Sequence, residues 1–373
     1  MRFLMLNWRD PANPLTGGAE RVSLAYMSAL AQRGHEVCWF AYDFPDAKPA
    51  ETVDRINFVR GGGKGTSVLK AIQWYRKQTP FDLVIDQHHG IPWYAPWWTK
   101  TNCIAYIHEV LGPIWDSFYR WPLNVIGRWQ ERWTHWLYRR IQFWTPSECT
   151  KNILREHGVR SVQVFPNGVY TVALPRLDPK PLCPQLRLVT VSRLAPNKRI
   201  DHAVRTVKHL VDKGIRVRLT IVGVGEMESA LCQLVSDLRL GDQVRFAGHL
   251  SEEEKDACLR DAHCLVHTSQ REGWGLNVIE ANAMGTPAVV YPVGGLVEST
   301  LHERTGLVAR EETPESLAAS LASLLGAPDA YETYRLNAWR RAQDLHWSKL
   351  LPVACDWLEK QAAGLKARVR SRN

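Results

Sequence analysis

The chain has 373 residues, 45% of them hydrophobic, and a formal net charge of +9. At about 150 residues per domain that suggests two domains, with enough apolar material for two cores. The longest apolar runs, residues 188–191 and 288–293, are strand-length, which argues against a membrane span of roughly 20 residues. Eight scattered cysteines with no Cys-x-x-Cys pair favour reduced thiols in a cytosolic chain over a disulfide framework or zinc site. No nucleic-acid motif is present, so the positive charge points to a phosphorylated ligand or an anionic membrane surface.

In chain order, Arg2–Asn7 reads as a buried strand, not a signal peptide. Gly17 and Gly18 then open an amphipathic helix over Ala19–Arg33, closed by Gly34. Such a glycine pair lets a phosphate or an acceptor approach, or is an ordinary turn; it is not the Gly-x-Gly-x-x-Gly of a nicotinamide site. Strands follow at Glu36–Tyr42, Leu83–Asp86, Cys103–Ile107 and Gln142–Thr145, with helical segments between them. His108 sits at the end of the third of these, where a histidine either contacts a sugar hydroxyl or is a structural residue.

The stretch Pro166–Leu186 holds five prolines and reads as an interdomain linker. Alternation then restarts with the strand Leu186–Ser192. It is followed by the basic loop Ser192-Arg193-Leu194-Ala195-Pro196-Asn197-Lys198-Arg199, a helix to Lys213 and a strand at Arg216–Val222. Arg193 offers a planar fork to phosphate and Lys198 a mobile point charge, or the stretch is an ordinary solvated basic loop. The helix Met227–Leu238 and strands Val244–Ala247 and Cys264–Thr268 come next. The strongest motif then begins at Arg271-Glu272-Gly273-Trp274-Gly275-Leu276-Asn277. Gly273 and Gly275 allow close backbone approach, and the helix from Leu276 presents free N–H groups suited to a diphosphate. Glu280, about one turn into that helix, forms with Glu272 a pair of carboxylates able to hold two ends of one polar ligand. The strand Ala288–Tyr291 and helices Pro314–Leu325 and Asp344–Leu365 complete the pattern, before a basic tail from Lys366. Strand–helix alternation implies parallel sheets covered by helices, with ligands at the carboxyl ends of the strands.

Taken together these pieces resemble the retaining glycosyltransferase family 4, over nearly the whole chain and in order. Gly17-Gly18-Ala19-Glu20, His108-Glu109, Thr145-Pro146-Ser147, Pro166-Asn167-Gly168-Val169, Arg193 with Lys198, Ile221–Gly225, Phe246-Ala247-Gly248 and Glu272 to Glu280 each match a landmark. Tyr170, Asn197 and Arg199 depart from the common pattern, which bears on the particular donor. The resemblance implies an α/β fold of GT-B type: two Rossmann-like doubly wound parallel-sheet domains facing a central cleft. Expected boundaries are an acceptor-side domain at 1–170, a linker at 171–186 and a donor-binding domain at 187–345. A C-terminal helix in 346–373 would return to the first domain.

By that resemblance the donor substrate is a nucleotide-diphosphate sugar and no cofactor is needed. Arg193 and Lys198 hold the diphosphate and Glu280 the ribose. Glu272 and the backbone of Gly273, Trp274, Gly275, Leu276 and Asn277 hold the sugar and its phosphate. Gly17 and Gly18 lie beside the diphosphate, and His108 beside the sugar. His108 and Glu272 are the candidate catalytic residues. No Asp-x-Asp pair or His/Cys/Asp cluster offers metal ligands, so metal-independent transfer is expected. The expected acceptor is a polysaccharide or other glycan, or a lipid-linked acceptor, in cell-envelope or exopolysaccharide synthesis. A GT-B epimerase, or a silent nucleotide-sugar binding protein, is the alternative.

Nine of the sixteen tryptophans fall in residues 93–144, interleaved with Arg128, Arg132, Arg139 and Arg140. Two readings compete for this segment: a buried helix with tryptophans in the core, or an interfacial surface with aromatics at headgroup level and arginines on anionic lipid. The loop-like 93–98 and 115–121 stretches fit acceptor contact better than core.

Overall fold

The structure, a computed structural model, describes residues 1–63, 65–112, 114–182 and 185–370, with side chains to residue 364. Cys183, Pro184 and the end of the basic tail lie outside the described residues. The chain forms two compact units. The first comprises Met1–Trp115, Arg120–Asn167 and the helix from Trp347; the second comprises Asp116–Tyr119 and Gly168–His346.

The first unit carries strands β1 (Arg2–Leu6), β2 (Glu36–Ala41), β3 (Ala50–Val53), β4 (Ile56–Arg60), β5 (Leu83–His88), β6 (Asn102–Ile107), β7 (Gln142–Thr145) and β8 (Ser161–Val164). Its helices are α1 (Gly18–Gln32), α2 (Ser67–Tyr75), α3 (Ile114–Phe118, shared with the second unit), α4 (Leu123–Leu137) and α5 (Glu148–Glu156). The sheet order is β3-β4-β2-β1-β5-β6-β7-β8, parallel except for the β3–β4 hairpin. That hairpin is absent from the sequence reading for a local reason. Its two-residue turn places Asp54 and Arg55 at positive φ (48° and 67°) without the Asn-Gly or Asp-Gly signal such turns favour. Strand β1 is buried along Phe3-Leu4-Met5-Leu6, as a central strand covered on both faces must be.

The second unit has β9 (Leu186–Val191), β10 (Val217–Val222), β11 (Val244–Gly248), β12 (Cys264–His267), β13 (Ala288–Val290) and β14 (Gly306–Val308). They form one parallel sheet, β11-β10-β9-β12-β13-β14. Helices α6 (Ile200–Asp212), α7 (Glu228–Asp237), α8 (Glu252–Asp261), α9 (Leu276–Ala283), α10 (Gly294–Ser299), α11 (Pro314–Leu325) and α12 (Pro328–Asp344) accompany it. Helix α13 (Trp347–Arg370) packs on α1 in the first unit. There Arg33 pairs with Asp356 at 2.6 Å and Glu359 at 3.0 Å, and Trp347 packs edge-on against Tyr26.

The proline-rich stretch after Gly168 is not a free connector. The Leu174 N–H donates to Ala283, the Trp339 indole donates to Leu174, and Arg335 donates to Asp178. Lys180 is buried and donates to the Ala262 carbonyl and the Thr286 hydroxyl, both at 2.8 Å. Burial foremost, with Arg335 beside it, pushes the Lys180 ammonium down to about 7. Helix α12, which has no counterpart in the sequence reading, supplies Arg335 and Trp339.

The buried-core reading of the aromatic segment fails for α4. Trp129, Trp133 and Trp136 are exposed, because the helix turns Gly127, Glu131, Thr134 and His135 inward instead. Conversely Trp93 is fully buried and stacks on Trp8 at 4.8 Å, so it is core and not an acceptor contact. Trp144 is also core, stacked on Tyr106 at 4.0 Å. Among the described residues no helix is long and apolar enough to cross a membrane.

Candidate functional site

In the second unit the sheet brings the two main motifs side by side. Strands β9 and β12 are adjacent and parallel, so the loops leaving their carboxyl ends run together. The Gln270 N–H donates to Asn197 at 2.9 Å, and the Thr268 hydroxyl donates to the Arg199 carbonyl at 2.8 Å. The β9 loop is also stitched to the loop after β10, where the Leu194 N–H donates to Val224. A Cβ at Gly223 would lie 2.0 Å from the Ser192 carbonyl, so only glycine fits this crossing.

This packing sets Lys198 Nζ 2.7 Å from Glu272 Oε2. His267, at the end of β12, brings its Nε2 to 3.6 Å from the same oxygen. Burial alone would raise the Glu272 carboxyl. Lys198 overcomes it and holds the carboxylate below its ordinary range. Burial pushes the His267 imidazole down to about 4. The three form an ionised pair beside a neutral imidazole.

Gly275 caps α9 in the left-handed conformation (φ 87°), which a side chain would strain. The preceding turn is braced by the Gly295 N–H donating to the Glu272 carbonyl at 2.9 Å. The first turn of α9 therefore begins beside the Lys198–Glu272 pair, with Leu276 and Asn277 at its start. The Asn277 side chain donates to the Val191 carbonyl at 2.7 Å, locking α9 to β9. Trp274 is buried with no partner for its indole N–H, so its side chain is packing and its backbone is what the loop offers. Glu280 meets Lys255 of α8 at 3.0 Å, and Lys255 also binds Glu252. Arg193 is exposed on the β9 loop.

Sequence reasoning missed His267 and Lys255. The signal for His267 was its place at the strand end just before the glutamate–glycine motif. Lys255 follows the acidic run Glu252-Glu253-Glu254, and only the packing of α8 on α9 aims it at Glu280.

In the first unit, Gly17 is the extended N-cap of α1. Its N–H donates to the Glu20 carboxylate at 2.8 Å, and Arg9 pairs with the same carboxylate at 3.1 Å. The glycine loop is thus shaped by a buried glutamate in the first helical turn. His108 follows β6 with its ring 4.5 Å from that of Tyr106. Its Nε2 is buried without a partner, and burial, with a smaller contribution from His89, pushes the imidazole down to about 3. A neutral ring holding an unmatched buried nitrogen is suited to hydrogen-bonding a ligand hydroxyl. Burial pushes His88 down to about 3 as well.

These two histidines, with His267 and the likewise depressed His135 and His263, predict acid lability. Between about pH 6.5 and pH 3 the unfolded chain binds protons that the folded chain does not, so stability falls as pH falls. The slope approaches about 1.4 kcal/mol per pH unit for each histidine. Buried Asp86 works the other way, because burial raises it to about 6 against three hydrogen bonds. Denaturant melts from about pH 7 down to about pH 5 should show the midpoint falling, less steeply in His108→Gln. A flat profile would contradict it.

Two parallel α/β units, each with a glycine-opened helix at a strand end and one with a basic loop beside it, define a protein of the GT-B fold class. Sucrose-phosphate synthase from Thermosynechococcus elongatus shares the fold at TM-score 0.81 and 19% identity, over 97% of this chain and 99% of that one. HepE of Anabaena, in complex with UDP and glucose, does so at TM-score 0.74 and 18% identity, over 96% and 100%. The model described as Glycosyltransferase Family 4 matches residues 16–172, and that described as Glycosyl transferases group 1 matches residues 184–341. The chain belongs to glycosyltransferase family 4. A glycogen synthase of Mycobacterium tuberculosis is 30% identical over 191 residues, 51% of this chain and 46% of that protein. The match thus spans about half the length of that relative.

Proposed function

We propose that the chain is a retaining glycosyltransferase that moves a sugar from a nucleotide-diphosphate sugar to a glycan or lipid-linked acceptor, in cell-envelope or exopolysaccharide synthesis. The observation that carries this reading is the Lys198–Glu272 pair at 2.7 Å, set at adjacent strand ends where α9 begins. It places a cation, a carboxylate and helix N–H groups within one small surface, a match to the phosphate, hydroxyl and charge pattern of a nucleotide sugar.

Lys198 and Arg193 take the diphosphate, with the backbone of Gly273–Asn277. Glu272 takes hydroxyls of the transferred sugar, and Glu280, oriented by Lys255, takes the ribose. Gly17 and Gly18 serve the diphosphate side. His108 hydrogen-bonds the sugar near the reacting carbon. The charge that grows on the leaving phosphate is met by Lys198, Arg193 and the start of α9, preorganised dipoles and cations of the kind that dominate many rate enhancements. The work goes on without a metal or other cofactor, at the cytoplasmic face of a membrane.

The complex of HepE with UDP and glucose makes UDP-glucose the first donor to try. Thermal shift against UDP-, GDP-, ADP- and dTDP-sugars tests the reading. A true donor at a hundredfold excess over its Kd stabilises the fold by about 2.7 kcal/mol. Turnover should persist in excess EDTA. Loss in EDTA restored by magnesium would contradict metal independence, and no shift with any nucleotide sugar would sink the reading as a whole.

A further inference from the structure

Helix α4 is built inside out. Its inward face is Gly127, Glu131, Thr134, His135 and, just past its end, Tyr138, all buried. That face is polar and fastened. Glu131 accepts from the Leu111 and Gly112 N–H groups at 2.7 and 2.9 Å. His135 Nδ1 lies 2.8 Å from His157 Nδ1, and the Tyr138 hydroxyl donates to Asp86 at 2.7 Å. A Cβ on Gly127 would meet the Trp115 ring at 2.4 Å, so the helix sits as close as its backbone allows.

The same spacing, shifted by two residues, runs along the outside. Trp129, Trp133 and Trp136 follow the i, i+4, i+7 rhythm of Gly127, Glu131 and Thr134. Two residues at about 100° each put them on nearly the opposite side. They are 67%, 43% and 51% exposed, and Ile126 beside them 55%. Trp121, just before the helix, is 80% exposed. Arg128, Arg132 and Arg139 lie together on one flank of this row, with the Arg139 guanidinium 4.0 Å over the Trp136 ring. The one acidic residue of the helix, Glu131, is buried and already bonded, so the outward surface carries no carboxylate.

We propose that α4 is an in-plane docking helix for an anionic lipid bilayer. The indoles lie at headgroup depth and the arginine flank lies on lipid phosphates. The chemistry fits that one partner: tryptophan is amphipathic and settles where apolar and wet regions meet, and arginine binds phosphate as a fork. A purely apolar protein partner leaves the arginine flank unmatched. This inference rests on the membrane-face part of the functional reading and not on its donor chemistry.

The experiment is flotation of the full chain with vesicles of phosphatidylcholine alone and of phosphatidylcholine with phosphatidylglycerol, at low and high salt. The chain should float with the anionic vesicles, less so as salt screens the contact. Tryptophan emission should shift to the blue on binding. Arg128→Glu/Arg132→Glu and Trp129→Ser/Trp133→Ser should each weaken flotation by about tenfold or more, with unchanged melting and unchanged thermal shift by UDP-glucose. All four residues are exposed. No flotation with anionic vesicles, equal flotation with neutral ones, full binding by both variants, or dimerisation through this face in sedimentation would each overturn the proposal. A donor shift that survives any of those outcomes leaves the transferase reading standing.

Discussion

Lys198→Ala is expected to weaken binding of the nucleotide sugar more than any other single change in the basic loop. Losing a charge-assisted contact to the diphosphate costs about 1.5–3 kcal/mol, roughly ten- to a hundredfold in Kd. The geometry adds a second loss. Lys198 lies 2.7 Å from Glu272 and is the chief group holding that carboxylate ionised against burial. Without it the Glu272 pKa rises, and the carboxylate takes up a proton or draws in water, so the sugar contact suffers too. Arg193→Ala lacks this second effect because Arg193 is exposed. Calorimetric titration of both variants with UDP and with UDP-glucose separates the two losses. For Lys198→Ala the affinity for the sugar nucleotide should fall further than the affinity for UDP. For Arg193→Ala the two should fall together. Unchanged affinity in both variants would remove the diphosphate assignment.

Glu272→Ala should cut turnover by about a hundredfold, close to 3 kcal/mol in the transition state, while UDP affinity changes little. The carboxylate is bonded to Lys198 at 2.7 Å and lies 3.6 Å from His267, so truncation removes that anchor and lets the sugar drift from its reacting pose. Glu272→Gln keeps the shape and part of the hydrogen bonding and should retain more activity. Retention in glycosidases runs through a carboxylate nucleophile about 5–5.5 Å from its acid partner. Here Glu272 is committed to Lys198, and Glu280 to Lys255 at 3.0 Å. Both carboxylates are thus engaged in ion pairs. We propose that transfer with retention proceeds here by a front-face departure, the leaving phosphate taking the acceptor proton, without a covalent intermediate. An α-linked donor should give an α-linked product by NMR. A β product would end the retaining assignment, and a sugar adduct on the intact protein by mass spectrometry would end the front-face one.

Strand and helix periodicity, and the glycine-opened loops at strand ends, were legible in the residues themselves. They depend on short-range rules: side-chain alternation, helical repeat and the conformational freedom of glycine. The order of the motifs carried the family resemblance for the same reason. What pairs with what was not legible. Lys198 and Glu272 are 74 residues apart and meet because β9 and β12 are neighbours in the sheet. Lys255 reaches Glu280 only because α8 packs on α9. The proline-rich stretch read as a linker because prolines break periodicity, yet Lys180 and Leu174 bind it to the second unit through long-range hydrogen bonds. The direction of α4 was the hardest case. Its tryptophans recur at helical spacing whether they face the core or the solvent, and spacing alone carries no sign. Burial of Glu131 on two backbone N–H groups, and the close seat of Gly127 on Trp115, decide which face turns inward, and those contacts exist only once the chain has folded.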